Sequence, residues 1–368
     1  MIEKVTIKNF KAIQSATIKL TDLSVFVGNN GSGKSSVIEA LQILQNVLLY
    51  GLSNAFQNRW YGLEYVHNVT NKKSTDDKLF EDDIEINIQG KIKKDKFDYK
   101  ACFNAIPNGD LYWITHESLL ENKTIIYKLG EPDKLSNQLQ TKLILADNND
   151  PFAIILRNYI TSWQFLSLEP ERMYFPTHRD YSTENVRLKN TGENLADFFR
   201  RLQDNSSLSN LIIDKLRYVL PDLIDVAGGE IPVQKMVYLF LAERHHNDRL
   251  PSWLFSSGTL RILTFLALLN SETPPPVLFI EEIENGLDPR TLNLLVEEFR
   301  GLMPQHQFIA TTHSPYFLDL VDLKHIIVAE RDAGETEYYR PNDDKRLNDW
   351  KEKFSAGNLY TMNKLSRK

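Results

Sequence analysis

Apolar and polar residues alternate along the first twenty positions of the chain, and a mostly apolar run follows. The alternation predicts two strands within 2–20. The run at 23–27 predicts a third strand, which leads into a glycine-rich turn. After the turn, apolar residues recur at helical spacing, so we expect a helix from Lys34 to about Tyr50 that ends at Gly51.

The next hundred residues change from a polar to a β-rich pattern. The stretch 52–82 is polar and rich in asparagine, which predicts a long surface loop or a poorly ordered excursion. Between 84 and 127, four stretches alternate apolar with polar residues. They predict an antiparallel sheet of about four strands, inserted after the first helix. Asn108-Gly109 lies between two of these stretches and indicates a hairpin turn.

The rest of the chain alternates between predicted helices and short apolar strands. In the middle we expect helices at 152–165, 192–203 and 207–219, and strands at 173–175 and 237–241. In the last third we expect helices at 259–270, 289–300 and from 345 onward, and buried strands at 277–280, 308–311 and 326–329. The sequence has no long heptad run, so we do not expect a long coiled coil.

Composition limits the function classes. The 368 residues are 42% hydrophobic and 25% charged, which is typical of a soluble globular protein with a sizeable core. Cys102 is the only cysteine, so an intramolecular disulfide is excluded, and a reducing cytoplasmic location is expected. Neither a signal-peptide profile nor an apolar run of membrane length is present. The net charge of −6 means that any nucleic-acid binding requires a local basic patch.

The glycine-rich turn has the pattern G-x-x-x-x-G-K-S at 28–35. Its glycines let main-chain N–H groups surround an anion, and the following helix adds unpaired donors. Lys34 is placed to reach the β- and γ-phosphates of a nucleotide, and Ser35 to hold Mg²⁺. A plain glycine-rich turn is the alternative, but the order strand, turn, helix favours the nucleotide site. The residues expected to bind the nucleotide here are Asn29, Asn30, Gly31, Ser32, Gly33, Lys34, Ser35 and Ser36.

Two consecutive carboxylates, Glu281 and Glu282, follow the predicted strand at 277–280. Ligands bind at the carboxyl ends of strands in parallel α/β sheets. Because adjacent strand residues point to opposite faces, we expect the two acids to have different tasks. Glu281 is placed to hold Mg²⁺ through water, and Glu282 to orient or polarise an attacking water. An acidic strand end without a role is the alternative, and the glycine-rich turn at 28–35, which has the pattern of a P-loop, makes it the weaker one.

Two further motifs suit a phosphate ligand. Ser256 and Gly258 precede a predicted helix, and small residues at a helix N-terminus can form a second anion site. A serine N-cap explains the same pattern. His313 follows the strand at 308–311, where a histidine can hydrogen-bond a γ-phosphate and sense its loss. A structural histidine is the alternative, but the position after the acidic strand favours the phosphate contact.

The order and spacing of these motifs resemble an ABC-type ATPase. The resemblance assigns 28–35 to Walker A, 255–259 to the signature motif, 277–282 to Walker B with the catalytic glutamate, 285–288 to the D-loop with Asp288, and His313 to the switch histidine. The strings S-S-G-T-L-R, E-E-I-E-N-G-L-D-P and T-T-H-S-P resemble the branch of SMC-like, RecF-like and OLD-type ATPases, especially the stand-alone ATPases of bacterial anti-phage defence systems.

The chain departs from the family pattern at three places. Glu281 stands where Walker B usually has aspartate, and Ser257 and Thr259 replace glycine and glutamine of the signature. A Q-loop glutamine is not evident. By position its counterpart is His178 or Arg179, at the end of the strand predicted at 173–175.

The resemblance implies a fold class and a division of the chain. The fold would be α/β, a P-loop NTPase with an ABC-type ATPase head, an N-terminal antiparallel β-subdomain and a helical lobe, and without a long coiled coil. We expect three segments. They are a first lobe at 1–180 with the P-loop and an inserted region at about 51–165, a helical lobe at 181–255, and the signature helix, Walker B core and tail at 256–368.

The resemblance also implies a composite site. The signature of one protomer would close over ATP and Mg²⁺ held by the P-loop of another, so we expect a homodimer or a higher homo-oligomer. ATP binding and hydrolysis would then switch the protein between states that control a separate effector protein, for example a nuclease, or a nucleic acid. No membrane partner is expected.

Other functions remain as alternatives. A RecF-like DNA repair and recombination ATPase would bind DNA. The lysines of the inserted sheet, from Lys91 to Lys100, suit that role, and a solvated edge strand explains them equally well. A small GTPase-like switch requires N-K-x-D, and the stretches at 71–74 and 122–125 fail at its last position. A transporter ATPase subunit has no place for the inserted sheet and the long tail.

Overall fold

A computed structural model describes most of the chain and divides it into two compact units. The first unit is Met1–Trp163 with Gln307–Lys368, and the second is Gln164–His306. These two units do not coincide with the three segments predicted from the sequence, at 1–180, 181–255 and 256–368. The described residues are 1–68, 78–106, 111–129, 140–181, 186–332 and 334–367. The hairpin turn predicted at Asn108-Gly109 and the polar stretch at 69–77 lie outside them.

The described residues form the following elements. The strands are β1 (Ile2–Phe10), β2 (Ile13–Lys19), β3 (Leu23–Val27), β4 (Ile84–Ile92), β5 (Asp95–Ala105), β6 (Tyr112–Glu121), β7 (Thr124–Leu129), β8 (Gln164–Leu166), β9 (Thr177–His178), β10 (Leu223–Ile231), β11 (Met236–Glu243), β12 (Leu250–Pro251), β13 (Val277–Ile280), β14 (Gln307–Thr311), β15 (Ile326–Asp332) and β16 (Glu335–Tyr339). The helices are α1 (Lys34–Tyr50), α2 (Leu52–Trp60), α3 (Leu63–Val66), α4 (Ile144–Asp147), α5 (Pro151–Thr161), α6 (Pro170–Met173), α7 (Leu195–Leu202), α8 (Ser206–Val219), α9 (Ser257–Leu269), α10 (Pro289–Leu302), α11 (Pro315–Asp319), α12 (Asn348–Lys351) and α13 (Ala356–Thr361).

The first unit contains a six-stranded antiparallel sheet in the order β2-β1-β4-β5-β6-β7. The four strands predicted between 84 and 127 are confirmed. They extend the first two strands rather than forming a separate sheet, because the alternating apolar residues of β1 and β4 face the same side. Ile7 pairs with Ile86, for example, and both are fully buried.

The loop predicted at 52–82 is wrong for its first part, where the chain forms α2 and α3. The polar residues misled the prediction because only one side of α2 is apolar. Phe56 on that side is fully buried, and its ring packs edge-on against Phe103 of the sheet with the ring centroids 5.8 Å apart. A short apolar stripe that requires a distant sheet is weak evidence for a helix in sequence alone.

The first unit also contains four strands in the order β16-β15-β3-β14. β3 runs parallel to both β14 and β15, and β16 is antiparallel to β15. All five residues of β3 are buried. The bounds of β3 and the start of α1 at Lys34 agree with the prediction. β14 begins one residue earlier and β15 ends three residues later than predicted, and β16 was not predicted. The predicted tail helix from 345 is wrong as one element, since α12 and the six-residue α13 are separate.

The second unit begins with a parallel pair, β8 and β13. The helix predicted at 152–165 is too long, because α5 ends at Thr161 and Phe165 belongs to β8, where its ring stacks on Phe279 with centroids 4.3 Å apart. The strand predicted at 173–175 is also wrong. Pro170 starts the short helix α6 there, as proline at a first helical position can.

The remainder of the second unit is a helical lobe with a small antiparallel sheet. Helices α7 and α8 confirm the two predicted helices. The sheet pairs β11 with β10 on one side and with β12 and β9 on the other. β10 was not predicted, because it includes Gly228 and Gly229 and most of its side chains are only partly buried. None of the described helices is both long and apolar enough to cross a membrane.

Candidate functional site

The turn between β3 and α1 has the backbone of an anion-binding loop. Gly28, Gly31 and Gly33 have φ angles of 151°, 74° and 93°, which side chains with a Cβ rarely adopt. A Cβ on Gly28 would also stand 2.2 Å from the carbonyl oxygen of Ala329 in β15. Glycine at this position is therefore required by the close approach of two main chains as well as by the turn.

The side chain of Lys34 folds back over this loop. Its Nζ donates to the carbonyl oxygens of Gly28 and Asn29, both at 2.9 Å, and Lys34 is 7% exposed. Asn29, at the tip of the loop, is exposed. The ammonium group is thus held against the mouth of the turn, where a phosphate oxygen could replace main-chain carbonyls as its acceptor.

The donors of the loop fit an anion. No side chain of the described residues caps the N-terminus of α1, and its first turn contains no acidic residue. Ser32 is buried, and its Oγ has no hydrogen-bond partner in the described part of the chain. Ser35 is half-buried at the second position of α1 and Ser36 is buried. Unpaired N–H groups and a buried unpaired hydroxyl are what a polyphosphate would satisfy.

His313 lies two residues past the end of β14, in the same unit as the loop. β14 is parallel to β3, so the carboxyl ends of the two strands, and therefore His313 and the loop, lie at one edge of the sheet. The main chain is fixed on both sides of His313: Thr312 N–H donates to Phe26 O at 3.0 Å, and Ser314 Oγ accepts from Phe317 N–H to cap α11.

The acidic pair lies in the second unit, just past β13. Glu281 N–H still donates to Leu166 O of β8 at 3.1 Å, whereas Glu282 has a φ of 48°. The two acids are therefore not required to face opposite sides, as neighbouring residues within a strand do, because both follow the end of β13. The left-handed backbone conformation at Glu282 sets the direction of its side chain instead. Glu282 is exposed, and its Oε2 accepts from Asn285 Nδ2 at 2.8 Å.

The start of α9 is close to the turn that follows the acids. Ser256 is its N-cap, and the Oγ accepts from Thr259 N–H at 3.0 Å. A Cβ on Gly258 would stand 2.5 Å from the carbonyl oxygen of Gly286. The structure thus brings the predicted signature and D-loop together within the second unit. The capping bond gives Ser256 the local role of a serine N-cap, and both Ser256 and Ser257 remain exposed.

Asp288 also has a local role as the N-cap of α10. It accepts from the N–H groups of Arg290 and Thr291, and Thr291 Oγ1 donates to it at 2.6 Å. Partial burial raises the pKa of Asp288, but these hydrogen bonds outweigh it and lower the pKa from its ordinary value. The carboxylate is therefore ionised at neutral pH and is held at the helix N-terminus.

Arg261 was not predicted as a site residue, although it stands three residues after Gly258. Its Nε is buried without a hydrogen-bond partner among the described residues, and burial lowers its pKa against the opposing charges of Glu171 and Glu282. A Cβ on Gly286 would stand 3.4 Å from its Cδ and Nε. Arg261 thus places a positive charge between the start of α9 and the acidic turn.

The interpretation of His178 or Arg179 as the Q-loop counterpart loses its basis. It relied on a strand at 173–175, and the strand that pairs with β13 is β8, which ends at Leu166. His178 lies instead on β9, paired with Met236, and Arg179 forms an ion pair with Glu230 at 2.9 Å.

Comparison with known proteins gives the family. The model of the family described as "AAA domain, putative AbiEii toxin, Type IV TA system" matches residues 23–319. A Helicobacter pylori protein named ATP/GTP phosphatase is 20% identical over 359 residues, which cover 90% of each chain. The matched region contains the loop, the acidic pair, the start of α9 and His313.

Solved structures show the same fold. The Smc head domain with an extended coiled coil from Pyrococcus furiosus, bound to the C-terminal domain of ScpA, has a TM-score of 0.57 at 13% identity, covering 96% of this chain and 99% of that one. The Smc head domain with a coiled coil and joint from Pyrococcus yayanosii has a TM-score of 0.53 at 13% identity, with full coverage of both chains. The chain therefore belongs to this AAA-domain family, is an ATPase, and has the fold of an SMC head domain.

Proposed function

We propose that the protein is an ATP-driven conformational switch that dimerises through two composite ATP sites. One observation carries the proposal: the chain has two separate helix N-termini suited to an anion, at Gly33–Lys34 and at Ser256–Gly258. The P-loop already supplies a phosphate site of its own. Ser256 and Ser257 remain exposed at the start of α9 and are available to a nucleotide held by a second copy.

Each motif has a proposed task at the nucleotide. The main-chain N–H groups from Asn29 to Ser36 bind the phosphates, and Lys34 contacts the β- and γ-phosphates. Ser35, and Glu281 through water, would hold Mg²⁺, which would supply positive charge to offset that of the phosphates. Both residue types offer the oxygen atoms that this ion prefers.

Hydrolysis is proposed to depend on two further side chains. Glu282 orients and polarises the attacking water, and its hydrogen bond with Asn285 holds one carboxylate oxygen in place. His313 hydrogen-bonds the γ-phosphate and senses its loss. Ser256, Gly258 and Asp288 contact the nucleotide held by the partner copy. Because ATP links the two copies in this way, its hydrolysis releases the dimer.

The switch is proposed to control another macromolecule, namely a separate effector protein in bacterial anti-phage defence. The family description, which names a toxin of a type IV system, supports a defence role. The Smc head from Pyrococcus furiosus was solved with a domain of a separate protein, which supports partner binding by a head of this fold.

Mixing two inactive variants tests the composite site. Lys34→Ala removes the phosphate contact, and Ser256→Arg blocks the signature. Each variant should lack ATPase activity alone. In a 1:1 mixture, only a dimer that pairs one variant with the other contains an intact site, one out of two, so activity should return to at most about half of the native value. A mixture as inactive as its components contradicts the composite site.

A second candidate is a RecF-like ATPase that binds DNA, and a lysine cluster favours it. The β4–β5 turn exposes Lys93 and Lys94, and the β6–β7 turn exposes Lys123. The two turns are joined, because Asn122 N–H donates to Lys96 O at 2.9 Å and Lys96 N–H donates to Asn122 Oδ1 at 3.0 Å.

Binding of duplex DNA at several salt concentrations tests this candidate. If the cluster neutralises phosphates, the logarithm of the binding constant falls steeply with the logarithm of salt. Changing Lys93, Lys94 and Lys123 to Gln should then reduce the slope by about 0.9 for each phosphate that is no longer neutralised. The same slope in the triple variant would remove the cluster as the DNA surface.

A further inference from the structure

A tyrosine near the end of the chain contacts the phosphate loop. Tyr338 in β16 donates its hydroxyl hydrogen to the carbonyl oxygen of Gly33 at 2.7 Å. Gly33 is the N-cap of α1 and directly precedes Lys34. The two residues are 305 positions apart, so only the fold brings them together.

This hydrogen bond fixes the peptide that joins Gly33 to Lys34. A trans peptide is planar, and its C=O and N–H point in opposite directions. A carbonyl oxygen held towards Tyr338 therefore directs the N–H of Lys34 away from Tyr338. The same carbonyl also accepts from Ser36 N–H at 3.1 Å, so both of its lone-pair directions are used.

Tyr338 is itself held in place. Its ring packs edge-on against Phe26 of β3, with centroids 6.0 Å apart at an angle of 86°. Burial raises the pKa of Tyr338, so the hydroxyl stays protonated and remains a donor. Thr336, which shares a face of β16 with Tyr338, donates from its Oγ1 to Ala12 O at 3.0 Å, in the turn between β1 and β2. β16 is thus fixed at two points.

We propose that Tyr338 is a positioning residue of the nucleotide site. It holds the Gly33–Lys34 peptide so that the main-chain N–H of Lys34 is presented to the nucleotide phosphates, and Thr336 anchors the strand that carries it. The inference rests on the proposed role of the P-loop. Because the N–H contact is present in the bound ground state as well as during the reaction, its loss raises KM for ATP more than it lowers kcat.

Tyr338→Phe tests this role, since it removes only the hydroxyl and keeps the ring against Phe26. We expect the Kd and KM for ATP to rise about fivefold, in keeping with the loss of one hydrogen bond, while kcat changes by less than about twofold. Tyr127→Phe is the matched control. Tyr127 lies on β7, its hydroxyl donates to Glu117 at 2.9 Å, and its removal should leave the Kd for ATP unchanged.

An unchanged Kd for ATP in Tyr338→Phe overturns the proposal, and so does a rise that Tyr127→Phe shares. If Tyr338→Phe does not fold, Thr336→Val decides, with an expected rise in Kd of about threefold for the loss of its bond to Ala12 and an unchanged Kd as the contrary result. Lys34→Ala separates this inference from the proposed function. If Lys34→Ala binds ATP like the native protein, the P-loop role itself fails. If it loses ATP while Tyr338→Phe retains native affinity, only the role of Tyr338 fails.

Discussion

Gly258 lies so close to Gly286 that a Cβ on Gly258 would stand 2.5 Å from the Gly286 carbonyl oxygen. Gly286 has a φ of 65° and sits in the turn between Glu282 and α10. A main-chain oxygen cannot move away as the end of a flexible side chain can. The start of α9 and this turn therefore pack directly against each other within the second unit, and a change in one segment displaces the other.

Gly258→Ala is expected to disturb both segments. The added methyl group must displace main-chain atoms, so we expect a loss of about 1–3 kcal/mol in the free energy of unfolding and at least a tenfold loss of ATPase activity, measured by urea denaturation and phosphate release. Gly301→Ala in α10 is the matched control. A Cβ there meets nothing within 4 Å, so alanine should stabilise the helix by about 1 kcal/mol. Equal unfolding midpoints for Gly258→Ala and the native protein would contradict the packing argument.

Gln45 on α1 links the phosphate-loop helix to the end of α5. Its Nε2 donates to Ile160 O at 2.9 Å and to Trp163 O at 2.8 Å, and the side chain is 4% exposed. Gln45→Leu leaves two buried carbonyls without this donor, so we expect a loss of about 1–3 kcal/mol in unfolding free energy, measured in urea. Asn46→Ala, at the next and only half-buried position, should change it by less than about 0.5 kcal/mol. Similar losses in both variants would argue against the role of Gln45.

Stability is expected to fall in mild acid because of His325. Burial lowers the pKa of His325, against the hydrogen bond with Leu23 O and the charge of Asp22. The unfolded chain then binds a proton near the ordinary pKa of 6.5 while the folded chain does not, so the free energy of unfolding decreases as pH falls through that value.

Urea titrations at pH 7.5 and 5.5 measure this effect. The decrease in unfolding free energy should be smaller in His325→Gln than in the native protein. His245→Gln changes an exposed histidine and should retain the native decrease. If His325→Gln retains the full decrease, other groups are responsible for it.

The features that could be predicted are those whose signal is local. The strand at Leu23–Val27, the glycine turn and the start of α1 at Lys34 are encoded by neighbouring residues, and the structure agrees with the sequence there. The same holds for the N-cap Asp288 with Pro289 after it. Each of these features depends on residues that are neighbours in the sequence.

The features that were missed depend on distant partners. β8 has three residues and becomes a strand because β13 lies beside it, so its apolar residues were taken for the end of α5. The φ of 48° at Glu282 is set by the turn that follows the strand, not by residue type. No sequence pattern predicts the role of Tyr338, because its contact is with Gly33, at the other end of the sequence.

ATP is proposed to join two copies of this chain. Glu282→Gln should slow hydrolysis, since the amide cannot polarise water as a carboxylate does, while it leaves the P-loop intact. Light scattering with ATP and Mg²⁺ should then give the mass of two chains for Glu282→Gln, and the mass of one chain when Lys34→Ala is added. If Glu282→Gln binds ATP and still has the mass of one chain, the protein does not form the proposed composite site.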